Sequence, residues 1–369
     1  MITLIDIIKR FEAPFLAEYG AKLLTSQKSA LAAFKICRTA MSAQMKLQCD
    51  ACLQTEYLPH SCGHRSCPHC QAHESQCWIE RQIAKQLPVN YFMLTFTLPA
   101  QWRTLVWQQQ KTLYDLLMQS AWETVNTFSQ NDKTLQGNAG AVAVLHTHNR
   151  RLDFHPHVHL VVPAGAINTG QKRWHSKKAK YLFSHKALAK VFRAKMLHGI
   201  TQLGLGIPEG ITEKWVVDCT QVGTGAKAIV YLGRYLYRGV IQEKDILSCT
   251  DATVSFRYTN SKTKKTETRT VTGIEFLRLV LQHILPKGFR RARNFGFLHP
   301  NSKRQITLLQ ILLRVQFKPV ISTPRPIMLC ACCGGIKRII QTRLRTISYV
   351  PAKGKAVTGE VNQQPESSM

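Results

Sequence analysis

Hydrophobic and polar positions alternate along this chain in two rhythms, one helical and one of period two. Leu4, Ile7, Ile8 and Phe11, then Leu31, Phe34 and Cys37, recur at helical spacing and predict a helical lead-in over residues 1–45. Residues 78–87 continue as a helix until Pro88 and Asn90 interrupt it. A strand over 91–98 follows, then a long helix around 104–128 and strands at 141–145 and 157–162. A helix at 186–197, a strand at 215–217 and a helix over 224–240 come next. Residues 254–258 and 268–271 flank a Lys-rich turn and predict a hairpin, and 276–285 and 308–315 look helical.

Strands clustered beside helices make the expected fold class α+β. The link from His146 to His155 is too short for a crossover helix, so a central antiparallel sheet flanked by helices is expected. Pro156 restricts its neighbour and is expected to end its strand. The organisation read from the pattern is a helical and metal-knuckle module over 1–87, a central domain over 88–320, a Cys-containing segment over 321–350 and a disordered tail over 351–369.

Composition narrows the partners. Of 369 residues 44% are hydrophobic, which reads as globular, while 50 Lys plus Arg against 21 Asp plus Glu leave a net charge of +29. Phosphate binding rewards such an excess through counterion release, so nucleic acid is the expected partner. No apolar stretch approaches the roughly 20 residues that cross a bilayer, and the amino terminus lacks a secretory pattern. A cytoplasmic, nucleoid-associated protein is expected, with no membrane partner, and a reducing compartment turns twelve cysteines towards metal rather than disulfides.

Cys49-x2-Cys52 and Cys67-x2-Cys70, fourteen residues apart, are two ligand corners of the kind that close a structural zinc site. Cys62, His60, His64, His69 and Cys77 are spare ligands nearby, Cys62 foremost. Lys46 and Arg65 of this region are expected where DNA could touch them. Cys330 and Cys333 form one more corner without a downstream partner. They either complete a site with distant residues or stay reduced.

The sharpest signal is His157-Val158-His159. In a strand both imidazoles project from one face, while Val158, Leu160 and Val162 point into a core, so the pair is half of a divalent-metal site. Candidates for a third ligand are His146, His148, Asp153 and Gln221, with His146 put first. The second constellation lies on the helix over 224–240. Lys227, Tyr231, Arg234, Tyr235 and Arg238 share one side, and Ile229, Leu232, Gly233, Leu236 and Val240 the other. Tyr237 points away from both tyrosines. Cations that hold phosphate oxygens beside a phenol suit phosphodiester chemistry, and a phenol needs a Lewis acid to attack phosphorus at neutral pH.

These motifs, together with His60-Ser-Cys-Gly-His-Arg-Ser-Cys-Pro-His-Cys-Gln71, Phe96-Thr-Leu-Pro99, Val144-Leu-His-Thr147, Leu285-Pro-Lys-Gly-Phe289 and Cys332-Cys-Gly-Gly335, resemble an HUH-type nuclease. The specific likeness is to the two-tyrosine, rolling-circle transposases of the IS91 insertion-sequence family, over roughly residues 5–340. The resemblance implies that His157 and His159 are metal ligands and that Tyr231 and Tyr235 are the nucleophiles. It also implies cleavage and rejoining of single-stranded DNA at element ends and target through a 5'-phosphotyrosine. Expected cofactors are structural Zn²⁺ and catalytic Mg²⁺ or Mn²⁺, and Lys227, Arg234 and Arg238 are the expected DNA contacts. No Gly-x4-Gly-Lys-Ser/Thr loop is present, so unwinding falls to a host helicase. The alternatives are a replication initiator or relaxase of the same chemistry, and a non-catalytic zinc-containing DNA-binding protein.

Overall fold

The computed structural model describes residues 2–237, 239–260, 263–315 and 327–344. The expected tail over 351–369 and the side chain of Arg238 lie outside them. In chain order the first elements are α1 (Leu4–Tyr19), α2 (Thr25–Ile36), β1 (Gln44–Cys49), β2 (Thr55–Pro59), α3 (Ala72–Ile83), β3 (Tyr91–Thr97), α4 (Arg103–Gln108) and α5 (Gln110–Asn131). The middle holds β4 (Gly140–His148), β5 (Phe154–Pro163), β6 (Gly165–Asn168), β7 (Arg173–Ser176), α6 (His185–Gln202), β8 (Val216–Gln221) and α7 (Ala226–Tyr237). Then come β9 (Ile246–Cys249), β10 (Thr253–Thr259), β11 (Thr266–Thr272), α8 (Gly273–Leu281), β12 (Ala292–Gly296), α9 (Lys303–Leu312), β13 (Met328–Leu329) and β14 (Ile336–Leu344).

The centre is a five-stranded sheet in the order β12-β4-β5-β3-β8, antiparallel at every pairing, as the short β4–β5 link requires. Strand alternation sorts its two faces. Phe92, Leu94, Phe96, Val158, Leu160 and Val162 bury one face against Leu113, Leu117 and Met118 of α5 and Phe192 and Met196 of α6. Val142, Val144 and Val161 bury the other against Ile229, Leu232 and Leu236 of α7 and Trp78 and Ile79 of α3. The apolar stripe of α7 therefore lies on the sheet and turns its cations and tyrosines aside. A Cβ at Gly233 would fall 2.3 Å from Ile79 Cγ1, so glycine sets how closely α3 approaches α7.

Three expectations are corrected. The strand bearing the histidines is not ended by Pro156. It starts at Phe154, and the ladder slips between His146↔His157 and His148↔Phe154, a bulge that accommodates a residue with no N–H to donate. The long helix breaks at Gln109, whose backbone (φ −121°, ψ 43°) separates α4 from α5. The segment over 321–350 is not a separate unit in its described part, because β13 and β14 join β1 and β2 in an antiparallel sheet ordered β13-β14-β1-β2. The amino-terminal helices also pack more widely than a knuckle requires. Ile7, Ile8 and Phe11 of α1 and Phe34 of α2 share a core with Val254, Phe256, Phe276 and Leu277.

Candidate metal centre and tyrosine helix

Register builds the histidine cluster. His146 on β4 stands directly opposite His157 on β5, and His159 follows on the same face, so one ligand nitrogen from each lies within 4.8 Å of the others. His157 Nδ1 lies 2.7 Å from the His155 carbonyl oxygen, to which it donates, leaving its Nε2 lone pair free. His159 Nδ1 lies 2.9 Å from Thr95 Oγ1 on the neighbouring strand β3. His146 Nε2 is buried without a partner among the described residues. Burial holds His159 down to about 4, and burial followed by the neighbouring histidines holds His146 well below the usual range. Three neutral imidazoles and an orphaned buried nitrogen are a donor set that a divalent cation satisfies.

Helix α7 brings the tyrosines to this cluster unequally. The Tyr235 ring stacks on His146 with centroids 3.3 Å apart and an interplanar angle of 14°. Thr147 N–H donates to its hydroxyl at 3.3 Å, and the Arg291 guanidinium lies 4.5 Å from its ring centroid while Arg291 Nε donates to the Leu145 carbonyl. Tyr231 stands 6.2 Å from His146 and 6.4 Å from His159, ring to ring, and is 51% exposed. Burial raises both phenols above their ordinary range, so each is protonated at rest. Both face a cleft of about 690 Å³ walled by Lys227 and Arg234 of α7, by Arg150 after β4, and by Arg257 and Tyr258 of β10.

The fold thus brings together His146, His157, His159, Tyr231, Tyr235, Lys227 and Arg234, which lie far apart in sequence. The other third-ligand candidates do not join. Asp153 pairs with Arg269 at 2.7 Å, Gln221 ends β8 opposite Phe92, and His148 Nδ1 turns to the Asn149 carbonyl. Arg150 and Arg257 carry no signal in the sequence, whereas Arg291 belongs to the basic run Arg290-Arg-Ala-Arg293, which beside Phe289 suggests contact with a single strand. The fold brings Arg150 and Arg257 to the wall of the cleft and sets Arg291 against the Tyr235 ring.

The cysteines regroup. Cys49 and Cys52 do not meet Cys67 and Cys70 as their spacing suggested. Cys67 and Cys70 join Cys62 and Cys37, with Sγ atoms 3.4 Å apart for Cys67 and Cys37 and 3.7 Å for Cys62 and Cys70. The buried Cys37 had read as one more apolar position of the lead-in helix. Bonds from Cys67 and Gln71 pull the Cys70 thiol down to about 4, which favours the thiolate that metal binding needs. Cys49 and Cys52 instead meet Cys330 and Cys333. His64 and His69 stay outside both groups, His64 Nδ1 accepting from Ser66 N–H and His69 lying 3.2 Å from Glu243. Arg65 is also not free for DNA, since its guanidinium donates to the carbonyls of Leu285, Pro286 and Phe289.

Residues 140–305 match a family model described as "Putative transposase", and residues 7–98 one described as "Transposase zinc-binding domain". Over 323 residues, 81% of each chain, the protein is 29% identical to the "Putative transposase y4qJ" of Sinorhizobium fredii. Over 266 residues it is 28% identical to the transposase for insertion sequence element IS801 of Pseudomonas savastanoi pv. phaseolicola, across 67% of this chain and 64% of that one. Among solved structures, the conjugative relaxase TrwC in complex with OriT DNA overlaps 61% of this chain and 74% of its own at 13% identity, with a TM-score of 0.27.

Proposed function

The chain belongs to the IS91-type transposases with an amino-terminal zinc-binding domain, and on that premise we propose that it cuts and rejoins single-stranded DNA at insertion-sequence ends through a tyrosine ester, in rolling-circle fashion. The observation that carries this reading is the convergence on three neutral imidazoles of two phenols that line a basic cleft. A non-catalytic DNA-binding protein has no use for that convergence.

His146, His157 and His159 would hold the divalent cation, Mg²⁺ or Mn²⁺, which when bound supplies Lewis-acid polarisation of the scissile phosphate. Lys227 and Arg234 hold the phosphate oxygens, and Arg150 and Arg257 track the strand along the cleft. A tyrosine Oη then attacks phosphorus. The Oη–P bond forms as the P–O3' bond breaks, the phenolic proton passes to solvent, and the departing 3' oxygen takes up a proton from solvent. The 5'-phosphate stays on the enzyme and a 3'-hydroxyl is freed. Attack by a 3'-hydroxyl on the ester reverses the step and joins strands, which accounts for target DNA as a second substrate without an external energy source. A host helicase supplies the single strand. Zinc at Cys37, Cys62, Cys67 and Cys70 would fix the amino-terminal module.

The test is covalent capture. Full-length protein with Mn²⁺ and single-stranded element ends is expected to give a denaturation-resistant adduct with the fragment 3' of the cut, joined through its 5'-phosphate. A chelator abolishes it, and so does the Tyr231→Phe, Tyr235→Phe double substitution. An adduct that survives the double substitution overturns the proposal.

A further inference from the structure

Two Cys-x2-Cys turns from opposite ends of the chain meet beside the sheet formed by β1 and β14. Cys49 and Cys52 lie at the turn out of β1, and Cys330 and Cys333 at the turn between β13 and β14. Their four sulfurs lie within 4.8 Å of one another, Cys49 to Cys333 at 3.5 Å and Cys52 to Cys330 at 3.7 Å. Zinc–thiolate bonds of about 2.3 Å in a tetrahedron set sulfur–sulfur edges of about 3.8 Å, whereas a disulfide needs about 2.05 Å. The spacing is that of a metal cage.

The two turns also match hydrogen bond for hydrogen bond. Leu53 N–H donates to the Cys49 carbonyl at 3.1 Å, as Gly334 N–H does to that of Cys330 at 2.9 Å. Cys49 N–H donates to the Gln54 carbonyl at 2.9 Å, and Cys330 N–H to that of Gly335 at 2.8 Å. The residue after each second cysteine is left-handed, Leu53 at φ 60° and Gly334 at φ 70°. For Gly334 this conformation is free of strain, but Leu53 has a side chain that resists it, so something holds that turn closed.

We propose that Cys49, Cys52, Cys330 and Cys333 bind a second zinc ion, a clasp that fastens the carboxyl-terminal strand β14 onto β1. The zinc-binding family model ends at residue 98, so Cys330 and Cys333 lie outside it. The clasp is needed because β14 has no buried residue, and only Leu47 and Cys49 are buried in β1. A sheet with so little core requires another source of folding energy, which a tetrathiolate metal supplies. Charge agrees. Four thiolates around Zn²⁺ leave a net double negative charge, and Lys337 stands opposite Cys49 in the ladder, paired with Glu56, while Arg338 reaches Asp50 at 2.7 Å.

The experiment is metal analysis of the full-length protein purified under reducing conditions. Two zinc ions per chain are expected, falling to one in the Cys330→Ser, Cys333→Ser double variant. The intervening Cys332, outside the group, serves as the control, and Cys332→Ser is expected to keep both. Cleavage by a protease carboxyl-terminal to Cys330 should accelerate only in the double variant. Should that variant fail to fold, cobalt titration of the metal-stripped parent decides: tetrathiolate charge-transfer absorbance rising through two equivalents supports the clasp. Saturation at one equivalent, or full zinc retention by the double variant, overturns it. None of these readouts depends on DNA cleavage.

Discussion

The Tyr235 ring lies flat against that of His146, 3.3 Å between centroids, while Tyr231 stands 6.2 Å from the same imidazole and opens to the cleft. One phenol is fixed by a ring, an N–H and a guanidinium, and the other is half exposed. That inequality assigns different duties. An incoming strand meets Tyr231 first, so Tyr231→Phe is expected to lower first-strand cleavage by 100-fold or more, the loss of a nucleophile. Tyr235→Phe should keep the first nick within a few-fold and lose strand joining. Single-turnover assays with one labelled end separate the two steps, and equal losses of nicking in both variants would remove the distinction.

Arg291 touches Tyr235 and the Leu145 carbonyl, which makes it a positioning residue. A guanidinium over a shielded ring contributes about 2 kcal/mol, so Arg291→Ala should cut Tyr235-dependent joining about 30-fold. Its charge also favours the phenolate, so the Tyr235 titration should move further up in Arg291→Ala and return in Arg291→Lys. A general loss of folding would instead depress Tyr231-dependent nicking equally.

Acid should weaken the metal-free protein. Burial holds His148 and His159 at about 4, and lowers His146, His157 and His283 well below the usual histidine range. In the unfolded chain the same groups titrate near 6.5. As pH falls below about 6.5 the unfolded state takes up protons that the folded state refuses, so the stability present above that value is lost progressively towards pH 4. Each histidine contributes up to about 1.4 kcal/mol per pH unit. Urea midpoints should hold from pH 7.5 to about 6.5 and then fall increasingly steeply to pH 5, more shallowly in His148→Gln. A flat profile would show that these rings are hydrated. Added Mn²⁺ should raise the midpoint at pH 7.5 and still raise it at pH 5, because in the folded protein the ligand nitrogens stay unprotonated down to about pH 4.

Period and spacing made much of this site legible. His157-Val-His159 announced a one-sided pair, and the stripe of α7 separated Tyr231 and Tyr235 from the buried Ile229, Leu232 and Leu236. What escaped depends on contacts across long separations. Cys37 looks like any apolar residue of a helix until it is found beside Cys67, and Cys330 seems unpartnered until β14 returns to β1. No local pattern encodes the partner of a Cys-x2-Cys corner, so nearness in sequence paired the wrong turns. Likewise Pro156 argues for a strand end, and only the bulge opposite His146 and His148 shows how the ladder continues past it.

Arg65 gives a sharp discrimination between a structural and a DNA-contacting cation. Its side chain leaves the zinc-binding region and donates to Phe289 O at 2.6 Å, Pro286 O at 2.8 Å and Leu285 O at 3.0 Å. A planar fork can satisfy three carbonyls of one loop, whereas a lysine ammonium cannot reproduce that geometry. Charged hydrogen bonds of this kind, partly open to water, are worth about 2 kcal/mol together. Arg65→Ala should therefore lower the urea midpoint by about that much free energy, with Arg65→Lys recovering less than half. Zinc content and the salt dependence of DNA affinity should stay unchanged, because the residue neutralises no phosphate. A shallower salt dependence with unaltered stability would return Arg65 to the DNA-binding surface and leave the Leu285-Pro-Lys-Gly-Phe289 loop needing another anchor.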